Sequence, residues 1–177
     1  MVRSVPFVVF AGDPNWIPPL NLADERQRIS PRHSPFFSFG EAAFFVAFLD
    51  GRPVGRISAQ INRRHLEHHK DETGHFGFFN SIDDSRIAQA LLEAAANWLR
   101  ARGMRMVGPF SLSVNEGSGL LVAGFDTPPA ILSSHARAWE GQLLEACGLH
   151  KAVDPSKSND LPPWHGGLAG SRYAPST

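Results

Sequence analysis

Gly74-His75-Phe76-Gly77-Phe78-Phe79-Asn80 is a short apolar run, Ser81-Ile82-Asp83-Asp84-Ser85 interrupts it, and Arg86 to Gly103 (RIAQALLEAAANWLRARG) follows as one long amphipathic segment. The order is strand, turn, helix. Ile87, Leu91, Leu92, Ala95 and Leu99 recur at helical spacing, which predicts a helix over 84–102. Asp83 or Asp84 can cap its start and Gly103 can end it. The start of such a helix presents unpaired N–H groups and positive dipole charge, the local field that holds phosphate in several folds. This turn carries two aspartates and no glycine.

On the N-terminal side, AAFFVAFLD (42–50), Asp50-Gly51 and RPVGRISAQIN (52–62) read as a hairpin, with Val54, Arg56, Ser58 and Gln60 alternating against Gly55, Ile57, Ala59 and Ile61. Residues 5–11 read as a first strand, 13–20 as a Pro-broken loop and 63–73 as a charged loop. On the C-terminal side, 104–107 reads as a short strand, 110–125 as irregular, 134–147 as a second helix and 150–154 as the start of a last strand. From Pro155 the chain is rich in Pro, Gly and Ser and reads as a disordered tail, leaving an open sheet edge for self-association.

The 177 residues fit one domain, and 42% apolar residues with 13 Phe and 4 Trp suffice for a core. Lys+Arg and Asp+Glu are each 17, so no net basic charge draws the chain to nucleic acid or an anionic membrane. Cys147, the one cysteine, excludes an internal disulfide. With no secretory signal and no apolar run near 20 residues, the expected setting is cytoplasmic.

The run of elements resembles the Gcn5-related N-acetyltransferase superfamily over about residues 5–154. The strongest local match is Leu143-Leu144-Glu145-Ala146-Cys147-Gly148-Leu149-His150, which is similar to the family's last helix entering its sixth strand. WIPPL, GRPVGRISAQIN, GHFGFF and WLRARGMRMVGP are similar to a bacterial branch of acetyltransferase-like proteins without an assigned substrate. The resemblance implies an α/β (α+β) fold, a mixed and mostly antiparallel central sheet flanked by helices. It implies an acyl-CoA N-acyltransferase-like domain at 1–154 and a tail at 155–177. It also implies acyl transfer from acetyl-CoA to a small-molecule or peptide amine. The pantetheine arm would hydrogen-bond backbone near Phe79 and Asn80, and the phosphates would sit on Ser85, Arg86, Ile87 and Ala88. Arg86 stands where the family's turn has its first glycine, and Asp83 where it has Gln or Arg. The competing reading, which the strength of Asp as an N-cap favours, is that Asp83 and Asp84 simply cap the helix.

Amine acylation needs a base and an acid. The family's acid is often a tyrosine on the last helix, and no tyrosine occurs here before Tyr173. His135 and Glu140 are alternatives at the start of that helix, while Cys147 reads as core. Glu116 is the expected base, with Ser113 and Asn115 beside the substrate; a polar turn over 115–119 is the competing reading. His75 is a further catalytic candidate, and an edge residue otherwise. His65, His68 and His69 have chelating spacing only if helical, so a solvated loop is expected there and no metal. Two other readings stay open: a non-catalytic relative whose cleft binds a ligand or partner, and a product that stops short of the family's seventh strand.

Overall fold

A computed structural model describes residues 1–19, 26–113, 117–129, 134–153 and 170–175. The predicted hairpin forms as β1 (Gly40–Leu49) and β2 (Arg52–Asn62), antiparallel. Both turn residues have positive φ, 49° at Asp50 and 76° at Gly51, the conformation that a two-residue hairpin turn with right-handed twist requires. β3 (Thr73–Ser81) pairs antiparallel with β2, and β4 (Arg105–Val107) pairs parallel with β3. The central sheet therefore has the order β1-β2-β3-β4 and is mostly antiparallel.

The long helix, here α3 (Ser85–Arg100), is capped by Asp84, whose side chain accepts from the Arg86 N–H. It buries Leu91, Leu92, Ala95 and Leu99 of the predicted stripe against Ile57, Ala59 and Ile61 of β2, with Ala88 buried in addition and Ile87 only half-buried. Each fully buried leucine contributes about 1.5–3 kcal/mol of transfer free energy. The alternate β2 residues lie on the other face, where Arg56 reaches the Val2 carbonyl. Here the structure corrects the reading of 5–11 as a strand. Val5–Val9 is a helix, α1, and its Val5, Val9 and neighbouring Phe10 form a second small core with Trp16, Val46 and Ile82. The β-branched residues favour a strand, but Pro6 fits a helix's first turn and the buried pair is spaced i,i+4 rather than i,i+2.

Two further expectations are corrected. The charged loop contains a helix, α2 (Arg63–His69), started by Asn62 Oδ1 accepting from His65 N at 3.2 Å. Capping supplies what the weak apolar pattern does not. The second sheet is β5 (Leu120–Leu121), β6 (Leu149–Val153) and β7 (Gly170–Pro175), in the order β5-β7-β6. A run read as unable to join a sheet thus supplies a central strand of one. The pairing stays inside the six residues 170–175, away from Pro155, Pro162 and Pro163. Tyr173 of β7 is 1% exposed and bridges to Gly108 after β4, so the edge expected to lie open there is occupied. The second helix is α4 (Ala138–Ala146), which enters β6 through Gly148.

Candidate functional site

β3 and β4 run together from Thr73↔Arg105 to His75↔Val107. Phe110 N then donates to Phe76 O at 2.7 Å. At Gly77 the backbones approach so closely that a Cβ would stand 2.5 Å from the Phe110 carbonyl oxygen. The next residue, Phe78, has φ 49°, and the β2–β3 register shifts there. Such a left-handed bulge in a bulky residue is held only by its surroundings. The Phe78 N–H turns to Ser111 Oγ, 3.2 Å away, instead of to a strand.

A pocket of about 240 Å³ lies at this split. Phe10, Trp16, Ile17, Phe78 and Leu120 supply apolar wall, and Arg28, Arg56, Asn80, Ser111 and His135 supply polar atoms, two of these residues being cationic. The combination of apolar walls with a few convergent polar groups is what a small-molecule site requires.

A buried polar chain runs behind the pocket. Arg56 Nε donates to Asn80 Oδ1 (2.9 Å), and Asn80 Nδ2 donates to Glu140 Oε1 (3.4 Å). The same oxygen accepts from Ser81 N (3.1 Å), while Oε2 accepts from Arg137 N (3.3 Å). Burial pushes the Glu140 carboxyl up to about 8, against the three N–H donors and Arg56, which favour its charged form. Arg137 holds the N-terminal segment through Val9 O (3.0 Å) and Ala11 O (2.9 Å), and its Nη1 lies 3.2 Å from Asp13 Oδ2. His135 Nε2 meets the same Asp13 oxygen at 3.0 Å. That hydrogen bond is the main cause holding the Asp13 carboxyl below its usual range.

Next to the positions that the family resemblance gives to pantetheine, and on the turn it gives to the pyrophosphate, the chain's own groups take part of the hydrogen bonding, and the turn does not fit the pyrophosphate. Past the bulge, Ser81 N is taken by Glu140, and Ser81 O accepts from Trp139 Nε1 at 3.0 Å. On the turn, Asp84 Oδ1 accepts from Arg86 N at 2.9 Å. The Arg86 guanidinium spends its charge on the same carboxylate, at 3.2 and 2.8 Å, holding Asp84 down to about 2. A phosphate there would have to displace the chain's own anion.

Of the residues singled out from sequence, Phe79 and Asn80 stand in the pocket wall. Ser85, Arg86, Ile87 and Ala88 form the first turn of α3: Ser85 and Arg86 are exposed, Ile87 packs on the core and Ala88 is buried. Ser113 is half-buried beyond β4, while Asn115 and Glu116 lie outside the described residues. His75 sits on the paired part of β3, against His65 and Phe110, apart from the pocket. His65 and His69 do lie on a helix, their rings tilted against each other at 4.4 Å between centroids. Among the described residues no group of three His, Cys, Asp or Glu is placed to hold a metal. Tyr173 packs in the core, its hydroxyl beside Gly141 of α4. Sequence reasoning missed Asp13, whose partner His135 lies 122 residues away and leaves no local signal.

The sequence profile described as the Acetyltransferase (GNAT) family matches residues 15–115. The chain is 41% identical over 152 residues to Protein YghO of Escherichia coli (strain K12), covering 85% of this chain and 38% of that protein. It is 44% identical over 155 residues to Bacterial ceramide synthase of Caulobacter vibrioides (strain NA1000 / CB15N), covering 85% of this chain and 40% of that protein. The chain thus spans about two fifths of the length of these curated relatives. No solved structure matches it. With a family profile over more than half its length and the parted β3–β4 strands beneath α3, this chain belongs to the acetyltransferase (GNAT) family.

Proposed function

We propose that the pocket at the β3–β4 split takes an apolar amine as the acceptor of an acyl group, so that the chain serves N-acylation. The observation that carries this is the pocket itself: aromatic and aliphatic walls with polar atoms at the bulge, and the Arg28 and Arg56 guanidiniums in the lining, whose charge favours the amine in its neutral form. The family acts on small-molecule or peptide amines. Ceramide is the amide of a fatty acid with a long-chain amino alcohol, so the name of the Caulobacter relative points to an acceptor both apolar and aminated. The reaction class is transfer from an activated acyl donor to that amine. Acetyl-CoA would meet competition on the turn, where Asp84 already takes the Arg86 N–H.

The test is to incubate the chain with acyl thioesters of two and sixteen carbons and either sphinganine or octylamine, and to measure amide by mass spectrometry. Amide above the uncatalysed rate, lost on Ser111→Trp or Phe78→Asp, is expected. No amide with any pair contradicts transfer by this chain. The filled β3 edge favours one second reading, a unit that holds the amine without acylating it. That reading predicts amine binding with no amide.

A further inference from the structure

We propose that the acceptor is an amino alcohol, and that its hydroxyl sits in a recess of the pocket beside Gly117, bounded by the Ser111 and Ser134 hydroxyls. The inference rests on the amine-pocket reading above and adds to it the group that the amine carries. Gly117, Ser111 and Ser134 all line the pocket. Gly117 has φ 117°, a conformation that L side chains rarely adopt, so the backbone itself calls for glycine. The missing Cβ leaves a gap. The point it would occupy lies 2.9 Å from Ser134 Oγ and 3.7 Å from Ser111 Oγ. Apart from the chain neighbours of Gly117, no other atom of the described residues stands within 4 Å of that point.

Both hydroxyls keep hydrogen-bonding capacity. Ser111 Oγ accepts from the Phe78 N–H at 3.2 Å, which leaves its own proton to donate. Ser134 is half-buried, and its Oγ makes no hydrogen bond among the described residues. It is not one of their buried orphan atoms, which are His65 Nε2 and His135 Nδ1, so its surface is open to a ligand. The nearby main-chain N–H groups are spent: Phe78 N on Ser111 Oγ, Ser111 N on Gly117 O (2.9 Å) and Gly119 N on Pro109 O (2.8 Å). No guanidinium or imidazole nitrogen of the described residues comes within 4 Å of the gap's centre. An anion or a developing oxyanion is held by N–H groups and cations, which this recess lacks. A serine hydroxyl both donates and accepts, and its complement is a group that does both. On an alkylamine that group is a hydroxyl. An analogue that cannot match the two serines leaves them unpaired, which is how such a site discriminates.

The test compares 2-aminooctan-1-ol with its O-methyl ether by calorimetry, with octylamine alongside. The alcohol and the ether share an alkyl chain and an amine flanked by the same oxygen, but only the alcohol can donate and has the bulk of a bare hydroxyl. Two neutral hydrogen bonds should make wild type bind the alcohol about tenfold more tightly than the ether. Ser134→Ala removes a hydroxyl that no described group depends on, and should shrink this preference to about threefold, the share of one remaining bond. The comparison in wild type stands by itself if the variant does not fold. Octylamine bound while the alcohol and the ether bind alike, or a preference undiminished in Ser134→Ala, overturns the hydroxyl recess and leaves the pocket reading intact. Binding of neither octylamine nor the alcohol overturns both.

Discussion

Glu140 of α4 accepts the main-chain N–H of Ser81 at 3.1 Å, and so closes the edge of β3 that faces away from β2. A helix side chain does there what a strand or a ligand would otherwise do. The contact fixes α4 to the sheet, and through Arg137 it fixes the N-terminal segment to both.

Glu140→Ala leaves the Ser81 N–H and the Asn80 amide without their acceptor in a buried place. Each such loss costs about 1–3 kcal/mol. Chemical denaturation should show the sum as a lower midpoint. The pH dependence has a definite sign. The folded carboxyl is raised to about 8, above its unfolded value of about 4.3, so the folded state binds the extra proton. Its contribution is complete below the unfolded value and is lost as pH rises through about 8. Melting temperature should therefore fall across this window in wild type and stay flatter in Glu140→Gln.

Tyr173→Ala should destabilise the fold by about 3–5 kcal/mol, because the side chain is 1% exposed and packs in the main core. Deleting 170–175 should do at least as much, since it also removes the pairing with β5 and β6. A melting temperature unchanged by either would show that β7 does not hold the domain.

The hairpin, β3 and α3 are legible in the sequence because each carries its period openly: alternation in 52–62, and the stripe from Ile87 to Leu99. Other elements depend on less periodic signals. Val5–Val9 has the composition of a strand and the burial of a helix, and only its packing against the sheet decides. Arg63–His69 is set by a cap, and β7 by pairing across the chain. The site divides in the same way. Phe79 and Asn80 follow from their place on β3, whereas Asp13 and His135 meet through tertiary structure alone.

Gly77→Ala should force β3 and β4 apart at the mouth of the split, since the new methyl would meet backbone rather than a flexible side chain. Overpacking of this kind costs about 1–3 kcal/mol. A variant as stable as wild type would contradict the close approach of Gly77 to the Phe110 backbone.

Coenzyme A titrated into the chain should give no saturable heat below about 1 mM, an affinity near 4 kcal/mol. The reason is local: Asp84 occupies the helix N-terminus and neutralises Arg86. Arg86→Glu should then leave the titration unchanged. Micromolar binding that Arg86→Glu abolishes would show that the ion pair opens to a phosphate.

The most direct test of the pocket is photo-crosslinking with an octylamine analogue that carries a diazirine at the end of its alkyl chain, followed by peptide mapping. The pocket account predicts labels on Phe10, Trp16 or Phe78, competed away by unlabelled octylamine. Labels confined to the exposed Phe48 and Leu49 of β1, or to the 83–88 turn, would contradict it.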